Sequence, residues 1–167
     1  IIKEAKKRNF KITSISLRNP KLKRFHRGIT YIKADISNFE ILRKKIIKKF
    51  DYVINAGGYG LHPDFGKKGN TLIKNHFGGL KNVLKKIETK KVKKFIQIGS
   101  SAEYGKAKSP FKENVKCFPN TPYSIAKLAS TNVLLNLYLN ENFPVTICRL
   151  FQVYGPKQDE NRIIPFL

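Results

Sequence analysis

Methionine is absent from the 167-residue chain, and only two cysteines and 11 acidic residues are present. Without methionine there is no initiator residue. The chain opens in a Lys-rich, helix-like run from Ile1 to Phe10 and stops on the apolar segment Ile163-Ile164-Pro165-Phe166-Leu167. We therefore expect a piece of a longer protein, cut at both ends. Cys117 and Cys148 are far apart and in no metal-ligand spacing. That leaves no metal site and points to free thiols in a reducing cytoplasm. No apolar run approaches the ~18 residues that a membrane span needs, so no membrane partner is expected. The shortage of acid leaves 34 Lys+Arg against 11 Asp+Glu, a formal net charge of +23. Charge of this sign attracts phosphate whatever the fold, so a nucleic-acid partner must be weighed. The lysines are spread over every predicted helix, and few arginines or aromatics are interleaved with them. Abundant Lys, Ile and Asn together are also what AT-rich coding sequence produces. We expect non-specific adhesion to polyanions at low salt and no specific nucleic-acid partner.

What is present is an alternation of strands and helices. After a helix tail over Ile1 to Asn9, the segment Lys11 to Leu17 is β-branched and alternating, as a strand is. Ile29 to Lys33 is a second strand, followed by Ala34 and Asp35. Ser37-Asn38-Phe39-Glu40 has capping-box spacing and predicts a helix to about Lys49. Asp51 to Asn55 is a third strand running into Ala56-Gly57-Gly58-Tyr59-Gly60. Glycines just past a strand let a ligand approach the backbone, although they also simply make turns. A long helix over Asn70 to Thr89 contains Gly78 and Gly79, whose expected use is close packing on the sheet or on a bound cofactor. Lys94 to Ile98 is a fourth strand, nearly continuous in apolar character as buried parallel strands are. Pro144 to Leu150 is a fifth. His26 and His76 are read as structural or surface residues, and His62 has no ligand partner in sequence.

This order predicts an α/β fold, a doubly wound parallel sheet of the Rossmann-like kind. Ligands of such sheets lie beyond the carboxyl ends of the strands. Asp35, Ala56-Gly57-Gly58, Ser100-Ser101 and Phe151-Gln152 all fall just past strand ends, on one rim. Between the last two comes Thr121-Pro122-Tyr123-Ser124-Ile125-Ala126-Lys127, opening a helix that runs to about Asn140. Pro122 suits a first helical turn, because it has no N–H to leave unpaired there. Tyr123 and Lys127, at i and i+4, project from one side of that helix. An ammonium near a phenol favours the phenolate, and such a phenol can exchange a proton with a hydroxyl or carbonyl. Alone, Y-x-x-x-K is common on solvated helix faces; its convergence with the other strand-end residues is what raises it.

Over nearly its whole length the chain resembles the extended short-chain dehydrogenase/reductases, in particular the NAD-dependent epimerase/dehydratase family acting on nucleotide sugars. Gly99-Ser100-Ser101-Ala102-Glu103-Tyr104-Gly105 is similar to its serine/threonine segment ending in Tyr-Gly. Tyr123 and Lys127 match its Y-x-x-x-K, and Asn75 with Gly78 matches the N-x-x-G of its central helix. Arg149 to Pro156 resembles R-x-x-N-x-Y-G-P. The resemblance implies catalytic roles for Ser100, Tyr123 and Lys127. Tyr123 would be the acid/base, Lys127 would ready it and hydrogen-bond the nicotinamide ribose, and Ser100 would hydrogen-bond the reacting oxygen. The resemblance also has Asp35 with Ile36 contacting the adenine; Arg18, by its own position just past a strand, could hold a phosphate or be an ordinary turn residue. Ala56, Gly57 and Asn75 would line the cofactor, and Ser101 and Gln152 would face substrate. Residues 1–150 would form the dinucleotide-binding domain and residues 151–167 the start of a substrate-binding region.

The departures carry information of their own. The first strand and its G-x-x-G-x-x-G loop are missing. Ser16-Leu17-Arg18 stands where an acidic ribose reader is expected, which leans the cofactor from NAD towards NADP. The family's 4,6-dehydratases carry Glu two places before Tyr-Gly; here that place is Ala102, and Glu103 comes one residue late. Gln152 replaces the usual Asn. The expected function is thus an NAD(P)-dependent nucleotide-sugar epimerase or 4-keto-sugar reductase, cytoplasmic and homodimeric by resemblance. The alternative is a non-catalytic Rossmann-like module that binds RNA or another polyanion.

Overall fold

A computed structural model describes residues 1–58 and 63–155. His62, Tyr59-Gly60 and the segment from Pro156 to Leu167, all named above, lie outside the described residues.

The strands run parallel and form two pieces. Strands β1 (Thr13–Ser16) and β2 (Thr30–Lys33) pair in register from Thr13 with Thr30 to Ser16 with Lys33. Residues 17–29, which return the chain, carry a single 3-10 turn, Leu22–Arg24. Strands β3 (Tyr52–Asn55), β4 (Lys94–Ser100) and β5 (Val145–Leu150) pair in that order, with β4 in the centre. Among the described residues no strand joins β1 to β3. In doubly wound order the first strand lies between the second and the fourth, the places that β1 and β3 take. The fold is Rossmann-like with that strand missing, as the sequence predicts. Phe10 and Tyr52 meet edge to face across the opening, with ring centroids 5.5 Å apart.

Helices connect the strands. Helix α1 (Ile2–Lys7) precedes β1, and α2 (Phe39–Lys45) lies between β2 and β3. The cap of α2 is Asn38, whose side chain accepts from Ile41 N, rather than the expected Ser37. Ser37 N instead donates to Asp35 Oδ1 at 2.8 Å, closing a turn one step earlier. The helix ends four residues sooner than expected, because Ile46 turns extended and is buried.

The long helix over residues 67–86 is continuous but changes pitch. Helix α3 (Lys67–Ile73) passes through a π-helical turn (Lys74–Gly78) into α4 (Gly79–Lys86). Gly79 explains itself: a Cβ there would stand 2.9 Å from Ile36 Cδ1, so the glycine lets helix and loop pack closely. Gly78 has no such neighbour.

Helix α5 (Pro122–Glu141) starts where Pro122 predicts, with Thr121 and Ser124 bonded reciprocally at its cap. It ends at Asn142, which takes the left-handed conformation that asparagine tolerates. The core lies where α4 and α5 cover one face of β4: Leu80, Phe95 and Leu134 are each 0% exposed, with Val92 and Phe143 beside them.

Candidate functional site

A cavity of about 220 Å³ opens at the carboxyl ends of β3, β4 and β5. Its walls include Ala56, Gly57, Ser100, Tyr123, Lys127 and Phe151. That is below the ~300–1,000 Å³ of a whole small-molecule site, so it suits one ring system of a larger ligand.

Local structure explains why these groups meet. Strand β4 outruns β3: Asn55 pairs with Gln97, and β4 continues to Ser100. Ser100 then caps the 3-10 turn Ser101–Tyr104, its Oγ accepting from Ala102 N at 3.2 Å. One turn into α5, Lys127 reaches back to β4 and donates from Nζ to the Ile98 carbonyl at 2.8 Å. Its amine is 5.8 Å from the Tyr123 ring centroid. Lys127 is buried, and that burial pushes its pKa below the ordinary lysine value, with the Glu103 carboxylate pulling the other way. An ammonium has three protons to donate. One goes to Ile98, so the buried amine at the cavity wall keeps donors for a ligand hydroxyl.

Five of the residues predicted from sequence therefore share one cavity: Ser100, Tyr123, Lys127, Ala56 and Gly57. The others are placed around it. Asn75 is half-buried in the π-helical turn, a kind of helix irregularity frequent at functional sites. Asp35 and Ile36 follow β2; Ile36 fills the space between Gly57 and Gly79 and accepts a hydrogen bond from Asn82 Nδ2 at its carbonyl. Arg18 is exposed just past β1, Ser101 lies in the 3-10 turn, and Gln152 is exposed beyond β5. None of these six is among the cavity walls.

The sequence reading missed His76 as a wall of the site. Its ring is buried against Tyr123, edge to face at 5.4 Å between centroids. Gly58, with φ of +116°, passes so close to the imidazole that a Cβ there would collide with it. The signal available was position: His76 adjoins Asn75 in the central helix. Phe151, placed on the rim by its position past β5 but given no role there, is also a wall of the cavity, and it extends an aromatic row with Phe111 and Tyr104.

The whole chain, residues 1–167, matches the NAD dependent epimerase/dehydratase family. It belongs to that family. Its epimerase/dehydratase relatives include a dTDP-D-glucose 4,6-dehydratase of Dictyostelium discoideum, 27% identical over 148 residues. That match covers 81% of this chain and 34% of the relative. Among solved structures, the UDP-N-acetylglucosamine 4-epimerase of Methanobrevibacter ruminantium M1, in complex with UDP-N-acetylmuramic acid, superposes with a TM-score of 0.77. It is 27% identical, over 93% of this chain and 53% of that one. The UDP-glucuronic acid 4-epimerase of Bacillus cereus, in complex with NAD, gives 0.66 at 26% identity, over 82% and 43%. The chain thus spans about half or less of the length of these epimerase/dehydratase relatives. Among the described residues no helix is long and apolar enough to cross a membrane, and no cluster of three or more His, Cys, Asp or Glu is placed to hold a metal ion.

Proposed function

We propose that this chain is the cofactor-binding portion, residues 1–150 with the start of a substrate region, of an NAD(P)-dependent nucleotide-sugar epimerase or 4-keto-sugar reductase. One observation carries the reading: Ser100, Tyr123 and Lys127, from two different elements, line one cavity at the sheet's carboxyl edge. The residues fit a nicotinamide riboside. Ala56 and Gly57 offer exposed backbone past β3, and Lys127 keeps donors for ribose hydroxyls. A bound nicotinamide supplies hydride acceptance and return at the sugar carbon. The chain's own part is proton handling and orientation. Tyr123 takes the proton of the sugar hydroxyl as it becomes a carbonyl, and gives one back in the reverse step. Lys127 holds positive charge beside it, and Ser100 Oγ orients the reacting oxygen. Arg18, Asp35, Ile36 and Asn75 form the outer part of the cofactor site, and Ser101 and Gln152 the substrate side. Arg18 in place of a carboxylate favours NADP over NAD.

Two features support epimerase or reductase over dehydratase. Ala102 has no acid to offer. Glu103, next to it, is 0% exposed and committed to internal hydrogen bonds. The polyanion-binding module is less well supported, because binding RNA needs no Ser–Tyr–Lys set around a cavity.

The test is turnover of the full-length protein with a panel of nucleotide sugars under NAD and under NADP. Tyr123→Phe is expected to lower turnover by at least about 10²–10⁴-fold while cofactor binding stays largely intact. Near-wild-type turnover in that variant removes Tyr123 from its role.

A further inference from the structure

We propose that Glu103 is a positioning residue: its carboxylate locks the Ser100 turn to the two elements that complete the cavity wall. The inference rests on the reading of Ser100, Tyr123 and Lys127 given above.

Glu103 is 0% exposed, and no acidic group is buried whole without donors around it. Here each oxygen is claimed. Oε1 accepts the backbone N–H of Ser100 at 2.9 Å, and Oε2 accepts Thr131 Oγ1 at 2.8 Å and Arg149 Nε at 2.9 Å. Thr131 sits on α5, the helix that carries Tyr123 and Lys127. Arg149 sits on β5, which ends in the wall residue Leu150, with Phe151 next to it. One side chain therefore joins three elements, each of which supplies part of the cavity.

The surroundings are built for it. A Cβ on Gly99 would lie 2.6 Å from Oε1, so the strand residue beside Ser100 leaves the carboxylate its room. Arg149 is itself held from other sides: Nη1 donates to the Glu113 carbonyl at 3.0 Å, and its guanidinium lies 5.0 Å from the Tyr104 ring centroid. Ser100 is thus fixed from two directions, its Oγ by Ala102 N and its N–H by Glu103. A hydroxyl that must meet a reacting oxygen at hydrogen-bond distance loses effect when it shifts by about 1 Å, and such a shift can cost about 10²-fold in rate.

Glutamine at this position can accept with one oxygen only. Either Ser100 N–H loses its acceptor or an amide donor faces the Arg149 donor. In the full-length protein, Glu103→Gln is expected to lower kcat about 10–100-fold, with cofactor Kd and the KM for the nucleotide sugar little changed. Adding Arg149→Met removes the opposing donor, lets the amide oxygen return to Ser100 N–H, and is expected to recover much of the lost kcat. Where the single variant does not fold, the pair Glu103→Gln/Arg149→Met and Glu103→Leu/Arg149→Met reads the same quantity, since neither leaves a buried charge unpaired. The leucine form is expected to be slower about 10–100-fold, at temperatures well below either melting point.

A folded Glu103→Gln with wild-type kcat overturns the inference, as do two double variants of equal kcat. Tyr123→Phe, run alongside, separates the two levels. If it is inactive while the Glu103 variants are unaffected, only the positioning role falls. If it turns over normally, the active-site reading falls and takes this role with it.

Discussion

The two pieces of the sheet are built to different standards. In the three-stranded piece β4 has a partner on each side, and its residues alternate between buried and half-buried from Phe95 onward. Phe95, Leu80 and Leu134 are fully enclosed there. In the two-stranded piece every residue of β1 and β2 is half-buried or exposed, and Leu17 and Leu22 nearby are 61% and 94% exposed. Two parallel strands alone are marginal in water, and among the described residues each of these has one unpaired edge. The residues of the cavity all belong to the well-packed piece, while Arg18 and Asp35 belong to the open one. The enclosed piece holds the groups that must be placed for chemistry, and the more exposed piece holds those proposed to read the far end of the cofactor.

Substitutions sharpen or break that contrast. The largest effect is expected in the three-stranded piece, where Phe95→Ala empties a fully enclosed site and should cost about 3–5 kcal/mol in urea unfolding. Ile15→Ala, at a half-buried position of β1 paired with Ile32, should cost only about 1–2 kcal/mol. Equal costs would mean that the pieces are equally well packed. Next, Asn38→Ala removes the acceptor for Ile41 N and should cost about 1 kcal/mol, while Ser37→Ala should cost less.

The smallest effect is a pH dependence. Burial holds the pKa of Lys127 below the ordinary 10.5. Between the two values the unfolded chain binds the extra proton, so stability rises with pH in that window, and below it the buried charge disfavours folding throughout. Lys127→Met should flatten the rise, seen as a smaller gain in melting temperature from neutral pH to about pH 10 than in the unsubstituted protein. An unaltered rise would mean that Lys127 is not desolvated.

Much of this was legible from local signals. Pro122 marked the start of α5. The apolar run of β4, and the glycines and serines past the strand ends, put the cavity on the right rim. What was not legible depends on distant partners. Glu103 reads as a misplaced acid until Thr131 and Arg149, 28 and 46 residues away, are seen to enclose it. The π-helical turn that carries Asn75 and His76 leaves no mark in composition, because a hydrogen bond shifted by one residue changes no residue type. The cap of α2 was misread by one place: Ser37 and Asn38 both have capping side chains, and the Asp35 turn took Ser37 N and left Asn38 to the helix.

The central claim is that the nicotinamide ring lies against Ser100, Tyr123 and Lys127. A crystal structure of the full-length protein with cofactor and a nucleotide sugar tests it most directly. The ring should occupy the cavity between Gly57 and Ser100, with the ribose on Lys127 and a sugar hydroxyl within hydrogen-bond reach of Tyr123. A cofactor bound with its ring outside that cavity, or a sugar that leaves Tyr123 untouched, would contradict the account.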